Sequence, residues 1–548
     1  MPQIDELIAY LTDVVPGEAT AREIPGVAIG LCDADGVLWS AAFGSTHADA
    51  ARPPARAVGV HTMFSVQSTS KLYTATGVLL AVQEGLVDLD EPILRHLPEF
   101  TVRSDFEDHP ERRITLRHLL THTAGFTHEA SVGSNYEVGD ATFEEHLATI
   151  PQTYLRFPVG HHHEYSNLGI DLAGHIVSRA GAETFPDFMR RRLFDPLGLT
   201  RSTFDFDVFD ADADRAFGHS RTFARAGREL PRRVPMVPSG GLYTSVDDVL
   251  GYLRFQLRDG EDLLRPELIR QHLDFPRLTD LQTQGYGLGL YVDRWAPGVR
   301  VLHHGGAGFG FLCQVFWLPD AGIGGAVLTN SVDHDLQNEL AADIVRRLAA
   351  GGRSAVAAPA PAPPPAAAPT RSPHVDELAG RYVGRLGDIV ELVVRDGGLL
   401  QVEPEETVVD LDGELTGTVP DKDSGGRRRL IFLRDAAGHV RYLLDAGTGD
   451  VRYRTVVPEL GASTLPSHLL GDYTSRIADV PIAPYRLRQD GDHAVIDLPR
   501  GGSLADPITL QLIAVGPDRY LSATGEVLTA GEAGVAYAEI PLTRPEQR

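Results

Sequence analysis

Cysteine and lysine are both nearly absent from this chain. Of 548 residues two are cysteines, Cys32 and Cys313, too few for a disulfide framework or a Cys-rich zinc site. Each lies in an apolar, strand-like run, where a reduced and buried thiol is expected. Lysine occurs only as Lys71 and Lys422, so 48 of the 50 basic residues are arginine. Positive charge is outweighed overall: the formal net charge is −25. That argues against nucleic acid or an anionic membrane as partner, because such surfaces select clustered Lys and Arg. No stretch approaches 18 consecutive apolar residues, so no membrane span is expected. The opening MPQIDELIAYLTDVVPG has no basic n-region, long apolar h-region or small-residue cleavage site. A soluble, cytoplasmic protein is the expectation, although a chain already relieved of a signal peptide would read the same.

What is present divides the chain. Residues 354–373, SAVAAPAPAPPPAAAPTRSP, are almost all Ala and Pro and read as an extended linker with no core of its own. Before it, 26–44 reads as a hairpin around a DADG turn and 299–330 as three strands with Gly-rich turns. A helix is expected from Ser68 to about Gln83 and another over 335–350. Strands at both ends with helices between them imply an α/β (α+β) domain, one antiparallel sheet with packed helices, over 1–353. Beyond the linker, Leu378-Ala379-Gly380-Arg381-Tyr382 recurs as Leu469-Leu470-Gly471-Asp472-Tyr473. Each copy precedes a hairpin signal, Asp396-Gly397 or Asp490-Gly491. Two small all-β, barrel-like modules are expected, 374–462 and 463–548. We also expect a loop from one of them to reach the cleft of the first domain and limit substrate size.

Three short elements carry chemistry. In Ser68-Thr69-Ser70-Lys71 the outer residues fall on one helix face, with the serine near unpaired N–H groups at the helix start. A desolvated lysine there can take the seryl proton. Arginine cannot, and in a chain that otherwise uses arginine, one of two lysines falls three residues after that serine. Tyr165-Ser166-Asn167 offers a phenol and an amide on one side of an extended stretch. His304-Gly305-Gly306 opens a Gly-rich strand, where a substrate can lie against the backbone.

In this order the three elements resemble the signature motifs of the serine β-lactamase and penicillin-binding protein superfamily. The likeness is to its class C-like branch of D-aminopeptidases, DD-peptidases and esterases. ITLRHLLTHTAGF (114–126), YSNLGIDLAGHIVSRAG (165–181), FDPLGLTRSTF (194–204) and PSGGLYTSVDDVLGYL (238–253) agree, and the resemblance covers about 15–350. It implies a five-stranded antiparallel sheet flanked by helices. It also implies Ser68 as the nucleophile that forms an acyl-enzyme, Lys71 as its activator and Tyr165 as proton relay. Asn167 would hold the substrate amide, and His304, with Gly306, would replace the commoner Lys-Thr-Gly motif. The N–H groups of Ser68 and Ala307 would form the oxyanion hole. Histidine at 304 in place of a fixed ammonium makes efficient β-lactamase action unexpected.

No cofactor or metal is expected. His161-His162-His163-Glu164 resembles a metal cluster, but adjacent loop histidines cannot all face one ion. G-x-S-x-G, Walker and Rossmann patterns are missing. His118 and His122 are expected to stabilise a helix end. The reading is a serine hydrolase acting on amides or esters of a small molecule or short peptide, foremost a D-aminopeptidase-like peptidase. A carboxylesterase, a peptide cyclase or transacylase, and a non-catalytic receptor are the alternatives. Homo-oligomerisation is left open.

Overall fold

Alternation along one strand sorts the first core into two layers. In Gly26–Asp33 (β1), Val27, Ile29 and Leu31 face one way, while Ala28 and Cys32 face the other, as the two-residue period of a strand requires. The computed structural model of the chain describes residues 2–48, 55–133, 141–220, 234–260, 262–280, 282–351, 374–384, 387–420, 427–435, 437–457, 461–477, 480–500, 503–531 and 534–545. The Ala/Pro stretch 354–373 lies outside them.

The main sheet contains β1, then Val37–Gly44 (β2), Gly285–Tyr286 (β3), Tyr291–Ala296 (β4), Val299–Gly308 (β5), Phe311–Leu318 (β6) and Ile323–Thr329 (β7). Its spatial order is β2-β1-β7-β6-β5-β4-β3, with antiparallel pairing throughout. The expected number of strands was five; the sheet has seven, because β3 and β4 fold back along the outer edge of β5. Their sequence, GYGLGLYVDRWA, breaks its alternation with glycines, which hides the hairpin.

Helices Pro2–Ala21 (α1) and Leu336–Gly351 (α5) cover one face through Leu7, Leu11, Val15, Leu336, Leu340 and Ile344. The other face carries Ser70–Gln83 (α2), Asn167–Gly181 (α3) and Val246–Leu257 (α4), packed through Leu72, Leu79, Ile170, Val249 and Leu253. The α2 helix begins at Ser70, not Ser68. Ser68 sits in a 3₁₀ turn, Gln67–Thr69, because Gln67 takes a left-handed backbone (φ 48°) that an α-helix cannot contain.

Beyond residue 373 two eight-stranded barrels close on themselves. The first runs from Gly380–Val383 to Val451–Arg454 and closes through Tyr382 opposite Arg454. The second runs from Gly471–Ile477 to Ile540–Thr543 and closes through Thr474 opposite Thr543. The repeat is structural: Tyr382 Oη donates to the Leu378 carbonyl at 2.9 Å, and Tyr473 Oη to that of Leu469 at 2.9 Å. Each tyrosine thus ties the first strand of its barrel to the turn before it. Side chains such as Leu392, Leu430 and Phe432, or Ile496, Leu510 and Leu528, fill the interiors. The hairpin at Asp396-Gly397 forms as expected, whereas the second turns at Gly491-Asp492, one residue later than read.

Candidate active site

The turn that carries Ser68 is bound on every side. Gln67 Nε2 donates to Ser65 Oγ at 2.7 Å. Ser70 Oγ donates to the Gln67 carbonyl at 2.5 Å and accepts from the Leu242 N–H at 2.9 Å. Val66 N–H donates to the Leu242 carbonyl at 3.0 Å. Ser68 is half-buried between the buried Gln67 and Thr69. A left-handed non-glycine residue so firmly held is a strain that functional turns often store.

Lys71, on the first turn of α2, is 0% exposed. Its Nζ donates to Asn167 Oδ1 at 2.8 Å and to the Ser239 carbonyl at 2.8 Å, and lies 4.8 Å from the centre of the Tyr165 ring. Asn167 opens α3 and donates from Nδ2 to Glu129 Oε1 at 3.1 Å. Glu129 also meets His128 Nδ1 at 3.0 Å. Lys71, Tyr165 and Asn167 thus come together where α2 and α3 meet, and Ser68 lies on the turn just before α2. The Asn167 amide, expected to hold substrate, is engaged by Lys71 at one end and Glu129 at the other.

His304, on β5, is buried. Its Nδ1 faces the Gly305 carbonyl at 2.6 Å and its Nε2 the Tyr286 hydroxyl at 2.9 Å. A carbonyl only accepts, so Nδ1 carries the hydrogen, and in the neutral ring Nε2 accepts from Tyr286. Gly306 serves packing: a Cβ there would lie 2.0 Å from the Val66 carbonyl oxygen and 2.8 Å from Cys313 Sγ. Thr69 Oγ1 donates to the His304 carbonyl at 3.2 Å, and Cys313 Sγ donates to the Val66 carbonyl at 3.2 Å. The strand and the serine turn therefore touch backbone to backbone. Ala307, next along β5, is exposed. Pairing of β5 with β4 ends at His303, which leaves the edge at 304–308 without that neighbour. Both cysteines are buried free thiols, as expected.

His118 does stabilise a helix: with Thr115 it forms a reciprocal capping box. His122 corrects its expectation. Its Nδ1 accepts from the Ser166 N–H at 3.3 Å, and its ring lies 4.4 Å from that of Tyr165 and 4.5 Å from that of Tyr286. It lines the site because its left-handed backbone (φ 56°) turns the chain after the short helix Leu116–Leu120. Of the histidine run, His163 stacks on Tyr286 at 5.4 Å, while His162 Nε2 meets Tyr453 Oη of the first barrel at 2.7 Å. Glu129 and Tyr286 join the site without any sequence signal, and Ser239, within the 238–253 stretch, joins through a carbonyl contact that only the fold creates.

The second barrel reaches this region. Its loop 522–526 presents Glu526, whose Oε2 accepts from Thr127 Oγ1 at 2.8 Å and whose Oε1 meets Arg156 at 2.9 Å. The Thr127 carbonyl accepts from Ser166 Oγ at 2.6 Å. The loop thus backs the Tyr165–Asn167 stretch. No described helix is long and apolar enough to cross a membrane.

The Beta-lactamase family model matches residues 5–350. A β-lactamase-like protein, str5, of Strobilurus tenacellus is 31% identical over 184 residues, which is 29% of this chain and 66% of that protein. The lovastatin esterase of Penicillium rubens is 29% identical over 335 residues, 50% of this chain and 81% of the esterase. Among solved structures, SurE with D-Leu superposes with a TM-score of 0.56 at 22% identity, covering 83% of this chain and 99% of SurE. The chain belongs to the Beta-lactamase family of serine hydrolases.

Proposed function

We propose that the protein is a D-aminopeptidase-like hydrolase that cleaves an amide whose acyl part bears a free α-ammonium group. What carries this reading is Glu129, a carboxylate only 3% exposed and held by Asn167 Nδ2 beside Lys71 and Tyr165. A buried acid at the acyl end of a cleft favours a cationic group close to the scissile carbonyl. The SurE neighbour, solved with D-Leu, motivates the D configuration.

In this mechanism Lys71 takes the Ser68 proton while Oγ adds to the substrate carbonyl carbon. The N–H groups of Ser68 and Ala307 hold the oxyanion, a donor pair of which each member is typically worth about 10²–10³ in rate. Tyr165 passes a proton to the departing nitrogen as the C–N bond breaks and is recharged from Lys71. Water then attacks the Ser68 ester, its proton returns through Tyr165, and the acid leaves. Asn167 orients Lys71 and Glu129, and His304 with Gly306 forms the strand edge along which the substrate lies. The lovastatin esterase relative favours a second reading, a carboxylesterase using the same residues.

Turnover of paired D- and L-aminoacyl anilides and of nitrophenyl esters, with Ser68→Ala as control, tests the assignment. Preference for D-aminoacyl anilides that is lost on N-acetylation and in Glu129→Gln is expected. Ester turnover without stereochemical preference would overturn the peptidase reading in favour of the esterase.

A further inference from the structure

A second buried polar chain leads away from Lys71. Its first link is the Ser239 carbonyl, 2.8 Å from Nζ. Ser239 is gripped by Asp171: its N–H donates to Asp171 Oδ1 at 2.9 Å and its Oγ to Oδ2 at 3.1 Å. The preceding carbonyl, of Pro238, accepts from Thr74 Oγ1 at 2.6 Å. Asp171 in turn meets His146 Nε2 at 3.0 Å, and His146 Nδ1 lies 2.7 Å from the Val132 carbonyl. Lys71, Asp171 and His146 are each 0% exposed and Ser239 is 1% exposed.

Packing leaves this chain little freedom. Asp171 and Gly174 lie three residues apart on one face of α3, and a Cβ at Gly174 would stand 2.3 Å from Pro238 Cγ. The helix therefore presses the 237–240 turn against α2. At the other end, a Cβ at Gly133 would lie 2.6 Å from His146 Nδ1. His146 thus joins the segment that carries Glu129 to the turn that carries the Ser239 carbonyl.

The chemistry of the pair follows from its surroundings. The Val132 carbonyl only accepts, so Nδ1 carries a hydrogen. Asp171 Oδ2, already taking the Ser239 hydroxyl hydrogen, calls for a second N–H from Nε2. Burial alone would hold the His146 imidazole down. The hydrogen bond and charge of Asp171 outweigh it, with the Val132 carbonyl and the Glu129 charge adding, and raise it above its ordinary value. The acidic groups that raise it are Asp171, from α3, and Glu129. A buried carboxylate is tolerated when it is paired and its lone pairs are filled, and this one has three such contacts, two from Ser239 and one from His146.

We propose that Asp171 and His146 are positioning residues of the reaction: as a buried carboxylate–imidazolium pair they fix the Ser239 carbonyl and thereby set the orientation and proton affinity of Lys71. The inference rests on the Lys71 role proposed above. It also assigns a use to two residues that touch neither Ser68 nor a substrate. A 1 Å misplacement of a catalytic group can cost about 10²-fold in rate, which is the loss in kcat expected when the pair is broken.

The scarcity of lysine supplies a direct test. With [ε-¹³C]lysine the full-length protein gives two resonances, Lys71 and Lys422, and the second is an internal control. Asp171→Asn keeps the shape and, through Oδ1, an acceptor for the Ser239 N–H, but removes the negative charge beside the Ser239 turn and Lys71. The Lys71 titration midpoint is expected to fall. His146→Gln removes the imidazolium and leaves the carboxylate, so the midpoint is expected to rise. Lys422 should not move in either, and circular dichroism checks that each variant is folded. Opposite shifts support the proposal. An unchanged midpoint, or shifts in one common direction, would mean a merely structural role and overturn it, and either variant alone decides if the other does not fold. Labelling of Ser68 by a fluorophosphonate, read by mass spectrometry, is scored separately. No adduct in the unsubstituted protein defeats the serine mechanism, whereas labelling with unmoved lysine resonances defeats only the positioning role.

Discussion

Glu526 of the second barrel accepts a hydrogen bond from Thr127 Oγ1 of the catalytic domain at 2.8 Å, across 399 residues of chain. The same carboxylate meets Arg156 at 2.9 Å, and Arg156 continues to Glu164, 3.3 Å away and next to Tyr165. Gly525 makes the approach possible: its backbone is left-handed (φ 83°), and a Cβ there would lie 2.2 Å from the Arg156 carbonyl oxygen. A residue of the last barrel therefore completes the shell behind the site. Glu526→Ala leaves Arg156 with less compensation and Thr127 without its acceptor. We expect a loss of about 2–3 kcal/mol in stability and a fall in kcat, measured by denaturant unfolding and steady-state kinetics. Activity equal to that of the unsubstituted protein would show that the barrel contact is only a tether.

Gly306→Ala probes the contact between strand and serine turn. The added methyl would collide with the Val66 carbonyl, 2.0 Å away, and backbone on both sides cannot yield as a flexible side chain would. Overpacking of this kind typically costs about 1–3 kcal/mol. The shift falls on the turn that holds Ser68, so kcat should drop further than the melting temperature alone suggests. Gly298→Ala, where no atom lies within 4 Å of the added Cβ, controls for stability alone; its left-handed φ of 74° destabilises without touching the site.

Much of this was legible in the residues, for reasons that differ from part to part. Periodicity marked the hairpin at 26–44, the three strands of 299–330 and the closing helix, because each buries one face in a regular pattern. The LxGxY repeat marked the two barrels, since the tyrosine–carbonyl bond needs that spacing. Lys71 stood out by composition alone. What did not show were partners brought in by topology. Tyr286 reaches His304 from a two-residue edge strand, and Ser239 contributes a carbonyl, which any residue type could supply. His122 read as a helix-end residue because its inward turn depends on one left-handed backbone conformation, which a sequence without a glycine at that position does not announce.

The cysteines offer a way to watch the serine turn open. Burial pushes both thiols up to about 12, so almost no thiolate exists near neutral pH. Iodoacetamide at pH 8 should leave native protein unmodified and alkylate both residues once it is unfolded. Cys313 donates to the Val66 carbonyl, so its labelling rate reports local opening of the turn before Ser68. In Gly306→Ala that rate should rise while that of Cys32 stays low. Equal rates at the two sites would point to global unfolding instead.

Glu539, in a turn of the second barrel, gives stability a defined pH dependence. Burial, and next the charge of Glu526, push its carboxyl up to about 7, while Arg103 pulls the other way. The folded state therefore holds a proton that the unfolded chain releases near an ordinary carboxylate value of 4.5. For a raised group, the stabilisation is fully present below the unfolded value and is lost as pH rises through the folded one. The contribution of Glu539 should thus fade between pH 4.5 and about 7, when a second negative charge develops beside Glu526. Because Glu526 is the residue that holds Thr127 and Arg156, the same charge should weaken the barrel's grip on the site. Glu539→Gln stays neutral throughout, so its melting temperature should exceed that of the parent above pH 7 and match it near pH 4.5. A constant difference between the two proteins across that range would mean that the carboxyl keeps one ionisation state throughout, and would sink the argument.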